Sequence, residues 1–237
     1  MLAYQYESIV KPTRGGESVH QYVILRHFHA ESAYSLSVSS GYYEIFRGPL
    51  SRESPTVPLW FEQFIEYPEL LRVAVKLSSG VMLDERDKEW LKEVSEVTGW
   101  DPDDVAEDLR SVSEEPSTRA ERYWKLYEEY LEKARKHYKQ GDFKQAGEKL
   151  YGAVLALIKY IAAVKGVAVV HWSRGKVEKF ITSNVEPELR ELLRDLLDKV
   201  QPLHEHFYEE HLDEQTFRER WSKVVELLER TRSVLTA

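Results

Sequence analysis

Apolar positions fall in two different rhythms along this chain. Up to about residue 50 they sit in short runs rich in Tyr, Val, Ile and Phe: AYQYESIV, VHQYVILRHFH, AYSLSVS and GYYEIFRG. PTRGGES, SSG and GPLSRESP separate these runs, and such clusters turn a chain back on itself. The pattern predicts a small antiparallel sheet. From residue 59 the spacing changes to three and four, the period of a helix. Short helices are expected through LWFEQFIEY and through ELLRVAVKL after Pro68. ERDKEWLKEVSEV follows, with Asp84 as N-cap and Gly99 as stop, and then DPDDVAEDLRSV, with Asp101 as N-cap and Pro102 at its first position. Two helices around a TGW turn resemble a DNA-reading hairpin. The second carries Asp103, Asp104, Glu107 and Asp108, however, and phosphates repel such a face. An acidic hairpin that packs or links is the better reading.

SEEPSTRAE at 113–121 is polar and proline-bearing, so the domain boundary is placed there, with Ser117 or Thr118 capping the next helix. Beyond it nearly everything reads as helix. Tyr123, Tyr127, Tyr130, Leu131, Ala134 and Tyr138 form one stripe, ended by Gly141 and Asp142. Phe143, Ala146, Leu150, Ala153, Leu157, Ile161 and Val164 form the next, broadened by Val154 and Ile158. A helix apolar over more than half its circumference belongs at the centre of a bundle. After the loop KGVAVVHWSRG come a short helix through KVEKFITS and a longer one opened by Pro187, which Pro202 is expected to kink or interrupt. A last helix spans about 215–235, with a capping box at 216–219. The expected class is α+β: a β-rich region with short acidic helices over 1–115, and an up-and-down helical bundle over 116–237.

Composition narrows the partners. The 237 residues carry a formal net charge of −8, which argues against duplex DNA held through a broad basic surface. No cysteine occurs, so disulfides and thiolate chemistry are excluded. The start MLAYQYESIVK lacks the pattern of a signal peptide, and no apolar run is long enough for a membrane span. A cytoplasmic protein is expected, with no membrane partner, and nothing calls for a cofactor. The single asparagine, Asn184, amid many Glu, Lys and Arg is a thermophile's bias.

One set of residues carries a family likeness. ARKHYKQGDFKQAGEKLYGAVLALIK, then His171 after an apolar loop, then LHEHFYE, resembles the archaeal PaREP proteins, which are grouped with HEPN domains. The likeness covers roughly 120–235. It implies a helical bundle that often dimerises, and a biology connected with nucleotides or RNA. It does not imply an activity. Many HEPN domains are ribonucleases that use an Arg and a His four to six residues apart. Within 118–237 that pair is missing: Arg190 and Arg194 lie too far before His204. The one match, Arg14 to His20, falls in the β-rich region, where the context is wrong.

Candidate chemistry gathers at two places. In LHEHFYEEHL, His204, Tyr208 and His211 share a helix face next to the apolar one, while His206 points away. His204 and Tyr208, joined by His171, could line a polar pocket. His204 and His211, two turns apart, are the candidate metal ligands, although zinc pairs favour a spacing of four. In VVHWSRGK, Arg174 and Lys176 lie at the start of a helix, a place suited to anions. A third group, His20, His27 and His29, lies on the β-rich segment and weighs less. The favoured reading is a non-catalytic binding or scaffolding protein, a homo-oligomer such as a dimer, with a protein, nucleotide or RNA partner. The alternative is a phosphate-acting enzyme, a ribonuclease or nucleotide hydrolase, using His204 and His171 with Arg174 as a phosphate clamp.

Overall fold

The computed structural model describes the backbone of residues 4–12, 19–27, 33–39 and 42–47, together with residues 64, 67–78, 80–112, 114–167 and 173–236. The chain divides into two compact units, Met1–Met82 and Leu83–Ala237. In the first, β1 (Tyr4–Pro12), β2 (Val19–His27), β3 (Ala33–Ser39) and β4 (Tyr42–Arg47) pair antiparallel in chain order. Tyr4 pairs with His27 and Pro12 with Val19. His20 and His27 therefore stand near opposite ends of β2, roughly 23 Å apart along the strand. His29 lies outside the described residues. Helix α1 (Pro68–Ser78) follows and buries Leu70, Leu71, Val73 and Ala74.

The expected α+β class is corrected. From Pro68 to Thr236 every described element is a helix, and no strand occurs among them. The second unit comprises α2 (Glu85–Thr98), α3 (Pro102–Arg110), α4 (Pro116–Gln140), α5 (Phe143–Val164), α6 (Arg174–Asn184), α7 (Pro187–Glu209) and α8 (Glu214–Thr236). Its core is made by helices alone, because α5 packs against α4, α7 and α8 and is buried on nearly every side. A helix so enclosed needs no sheet to cover it. The unit also begins before the polar stretch at 113–121, so α2 and α3 belong with the bundle.

Local chemistry explains the ends of these helices. Asp84 and Asp87 form a reciprocal capping box: the Asp87 N–H donates to Asp84 Oδ1 at 3.0 Å, and the Asp84 N–H donates to Asp87 Oδ2 at 2.9 Å. Gly99 ends α2 at φ 68°, a left-handed conformation that favours glycine. The start of α4 differs from expectation. Pro116 occupies its first turn, Glu115 precedes it without a side-chain cap, and neither Ser117 nor Thr118 caps it. Asp213, rather than Thr216, caps α8: its Oδ1 accepts from the Thr216 N–H at 2.8 Å. Pro202 does not interrupt α7, which runs through it to Glu209. The proline leaves the Asp198 carbonyl without its helical donor. Buried Leu196, Leu197, Val200 and Leu203 hold the helix against α5 and offset that loss.

Three carboxylates of the acidic hairpin, Asp101, Asp104 and Asp108, pair with groups on α4 and α5. Trp100, 1% exposed, plugs into the bundle and donates from Nε1 to the Gly152 carbonyl at 2.8 Å. Asp101 accepts from Lys149 at 2.8 Å and from Lys133 at 2.9 Å. Burial opposes ionisation of Asp101, yet the two lysine hydrogen bonds outweigh it and its carboxyl stays below the ordinary value. Tyr130 donates to Asp104 at 2.7 Å. Deeper in, Lys159 donates to Asp108 Oδ2, and the Tyr123 hydroxyl donates to Asp108 Oδ1 at 2.6 Å. Burial pulls the Lys159 amine below its ordinary value, against the opposing charge of Asp108.

Glycine sets two close approaches. A Cβ on Gly152 would stand 2.8 Å from Tyr130 and 3.0 Å from the Gly99 carbonyl, so this glycine admits the TGW turn. The helix-to-helix contact belongs to Gly147, where a Cβ would stand 2.3 Å from the Leu203 carbonyl oxygen. Backbone cannot yield as a flexible side chain does. Gly147→Ala should therefore destabilise by about 1–3 kcal/mol or more through forced separation of α5 and α7. Urea unfolding measures this, and an unchanged midpoint would show that the two helices can shift freely.

Candidate functional site

The site grows from two facing turns. On α5, Glu148 and Tyr151 are three residues apart and share a face. On α7, His204 and Tyr208 are four apart and share another. The Gly147 contact brings these faces together. His204 Nδ1 lies 2.6 Å from Glu148 Oε2, and both side chains are nearly buried. An ionised carboxylate only accepts, so Nδ1 carries the proton, and in the neutral ring Nε2 is the acceptor. Tyr151 stacks on the imidazole, with centroids 4.1 Å apart and planes 12° from parallel. Tyr208 meets the same ring edge-on at 5.4 Å and 87°.

Tyr208 is the exposed member, at 50%. Its hydroxyl donates to the Glu96 carbonyl at 3.3 Å, so the end of α2 borders the cluster. The backbone of Gly99 also abuts Glu148. Both phenols stay protonated at neutral pH. Burial pushes Tyr151 up to about 12, with the positive charge of Arg174 opposing, and burial pushes Tyr208 up to about 12, reinforced by Glu148. The cluster thus offers one imidazole of fixed orientation, two flat aromatic faces and a hydroxyl donor.

Of the other expected residues, those described are engaged elsewhere or lie beside the cluster. Arg174 sits in the first turn of α6, but its guanidinium is held by Glu178 at 3.0 Å and by Asp198. Lys176 lies half-buried in the same turn. His171 lies outside the described residues. His211 does not join His204: its Nδ1 is 3.9 Å from Glu209, and its ring packs against His206 at 5.8 Å. His206 does not point away, as the helix face suggested. It is buried, and its Nδ1 accepts from the Leu212 N–H at 3.0 Å, which closes the turn into α8. Burial lowers the His206 pKa below its ordinary value, with the charge of His211 in support. Among the described residues no group of three or more His, Asp or Glu is placed to hold a metal ion.

Glu148 and Tyr151 were missed from sequence. The signal was present, because Glu148 and Lys159 are charges set inside the apolar run of α5, where an unpaired charge is costly. Each has a hydrogen-bonding partner on another helix. An open apolar groove of about 790 Å³, bordered by Ala120, Trp124, Tyr160, Val164 and Leu235, lies towards the end of α5 away from Glu148.

The sequence motifs now have places: EKLYGA supplies Glu148 and Tyr151, and LHEHFYE supplies His204 and Tyr208. Residues 122–228 match the archaeal PaREP1/PaREP8 family. The likeness read from those motifs is thereby supported over the helical region. No curated protein and no solved structure matched the chain. The PaREP1/PaREP8 region runs from α4 into α8 and contains all four residues of the cluster. It begins after α2 and α3, so the hairpin that borders the cluster lies outside the matched span. Among the described residues no helix is long and apolar enough to cross a membrane.

Proposed function

We infer that the PaREP1/PaREP8 region is a non-catalytic, HEPN-like binding module whose ligand site is the cluster of Glu148, Tyr151, His204 and Tyr208. The observation that carries this reading is the buried Glu148–His204 pair stacked on Tyr151, with Tyr208 standing half-exposed at its edge. A carboxylate that fixes an imidazole leaves its second nitrogen as an oriented acceptor. A half-exposed tyrosine offers a π-face, and a base stacked on an aromatic side chain gains about 1–3 kcal/mol. Nucleosides and nucleotides present both a donor edge and a flat ring, so they are the ligand class. The phosphate-acting alternative needs a free cation at the site, and Arg174 is already held by two carboxylates.

The test is calorimetric titration of the full chain with a panel of nucleosides, nucleotides and short RNAs. Tyr208→Ala should weaken binding at least tenfold, equivalent to about 1.4 kcal/mol. Its melting temperature should stay near that of the parent, because the side chain is half in water. His204→Gln should weaken binding as well. If nothing in the panel binds, or if Tyr208→Ala binds as the parent does, the site is not this cluster.

A further inference from the structure

Arg119 sits in the first turns of α4 and is 4% exposed. An arginine is always charged, and burying it without a counter-ion is costly. Yet its Nε has no hydrogen-bond partner among the described residues, and neither has the buried Nη2 of Arg122 three residues on. Arg122 uses Nη1 on Glu114 at 2.7 Å and lies over the Tyr123 ring, 5.2 Å from its centroid.

The surroundings sharpen the imbalance. Arg119, Arg122 and Lys159 all act on one locality: the first two disfavour the charged amine of Lys159 and favour the ionised form of Tyr123. Opposite them stands Asp108, whose two oxygens already serve Lys159 and Tyr123. Glu114 is 43% exposed and serves Arg122 from the rim. Among the described residues three cations thus face two carboxylates, and the excess charge belongs to Arg119, whose Nε has no hydrogen-bond partner. The positive end of the α4 macrodipole adds to it.

We propose that Arg119 and Arg122 bind a tetrahedral oxyanion of the phosphate class, free or as the terminal group of a larger ligand. Its several oxygens can accept from both unpaired guanidinium N–H groups at once, the geometry for which arginine is suited. Its charge balances the third cation. Lys159 lies eleven residues along α5 from Glu148, roughly 16 Å at helical rise, so this place is distinct from the His204 cluster.

The experiment is thermal unfolding of the full chain in inorganic phosphate against chloride at matched ionic strength. A parallel series uses a phosphate monoester. A ligand that binds the folded state raises the melting temperature with concentration. The rise should vanish in R119Q, shrink by at least half in R122Q and persist in H204Q. A rise with both probes means that the free anion suffices; a rise with the monoester alone means that the anion is the end of a larger ligand. If R119Q does not fold, the partly exposed Arg122 decides through R122Q. No rise with either probe overturns the proposal. An equal rise in R122Q also overturns it, since phosphate stabilises proteins in general by exclusion from their surface.

Discussion

Replacing Asp108 by Asn should destabilise the helical unit by about 3–5 kcal/mol, and Lys159→Met should cost about as much. Each change strands its partner: the amine of Lys159 is 2% exposed and the carboxylate of Asp108 is 8% exposed. Lys159 would keep the faces of Trp100 at 4.6 Å and Tyr123 at 5.4 Å, but no carboxylate at hydrogen-bond distance among the described residues. The double change, Asp108→Leu with Lys159→Met, should recover most of the loss, because an apolar pair of similar volume needs no desolvation. Urea unfolding of the parent, Asp108→Leu, Lys159→Met and the double variant closes the cycle. Added salt should barely alter the pair, since buried charges are poorly screened. Single changes of under about 1 kcal/mol would mean that water reaches these groups after all.

Trp100→Ala is expected to cost about 3–5 kcal/mol, within the range for large aromatic truncations in a core. The indole lies against the Tyr123 and Tyr130 rings of α4 and Lys159 of α5, and its N–H answers the Gly152 carbonyl. Trp100→Phe keeps most of the volume and should lose mainly that hydrogen bond, about 1 kcal/mol. Amide exchange distinguishes local from global loss. In the alanine variant the amides of Glu85–Arg110 should exchange faster than those of α5, because the hairpin loses its anchor while the central helix keeps its neighbours. Uniform acceleration would show that the hairpin and bundle unfold as one.

The sequence made the helices legible where the pattern was long and the caps were explicit. Asp84 and Gly99 bound α2, and Gly141 with Asp142 divides α4 from α5. Pro202 and Thr216 misled, because a local rule competed with packing at the first and with a better oxygen, Asp213, at the second. The site was half legible. His204 and Tyr208 could be placed on one face by helical spacing alone. Their partners could not, because Glu148 and Tyr151 meet them across 56 and 53 residues of chain, a relation that periodicity does not encode. His206 was misassigned because the turn after α7 folds Leu212 back over it, at Glu210 with φ 51°. The acidic hairpin was read as packing or linking, but which of its carboxylates are matched was not legible, since a count of charges does not name partners.

The hairpin also changes where this chain can be divided. The polar stretch at 113–121 looks like a seam, and a fragment cut there would contain all of the family match. It would also uncover Lys133, Lys149 and Lys159 with their acidic partners removed, beside the buried rings of Tyr123 and Tyr130. Such a fragment would present an adhesive face of bare cations and aromatic surface. The compact unit that keeps these pairs together begins at Leu83, so it is larger than the stretch that matches the family.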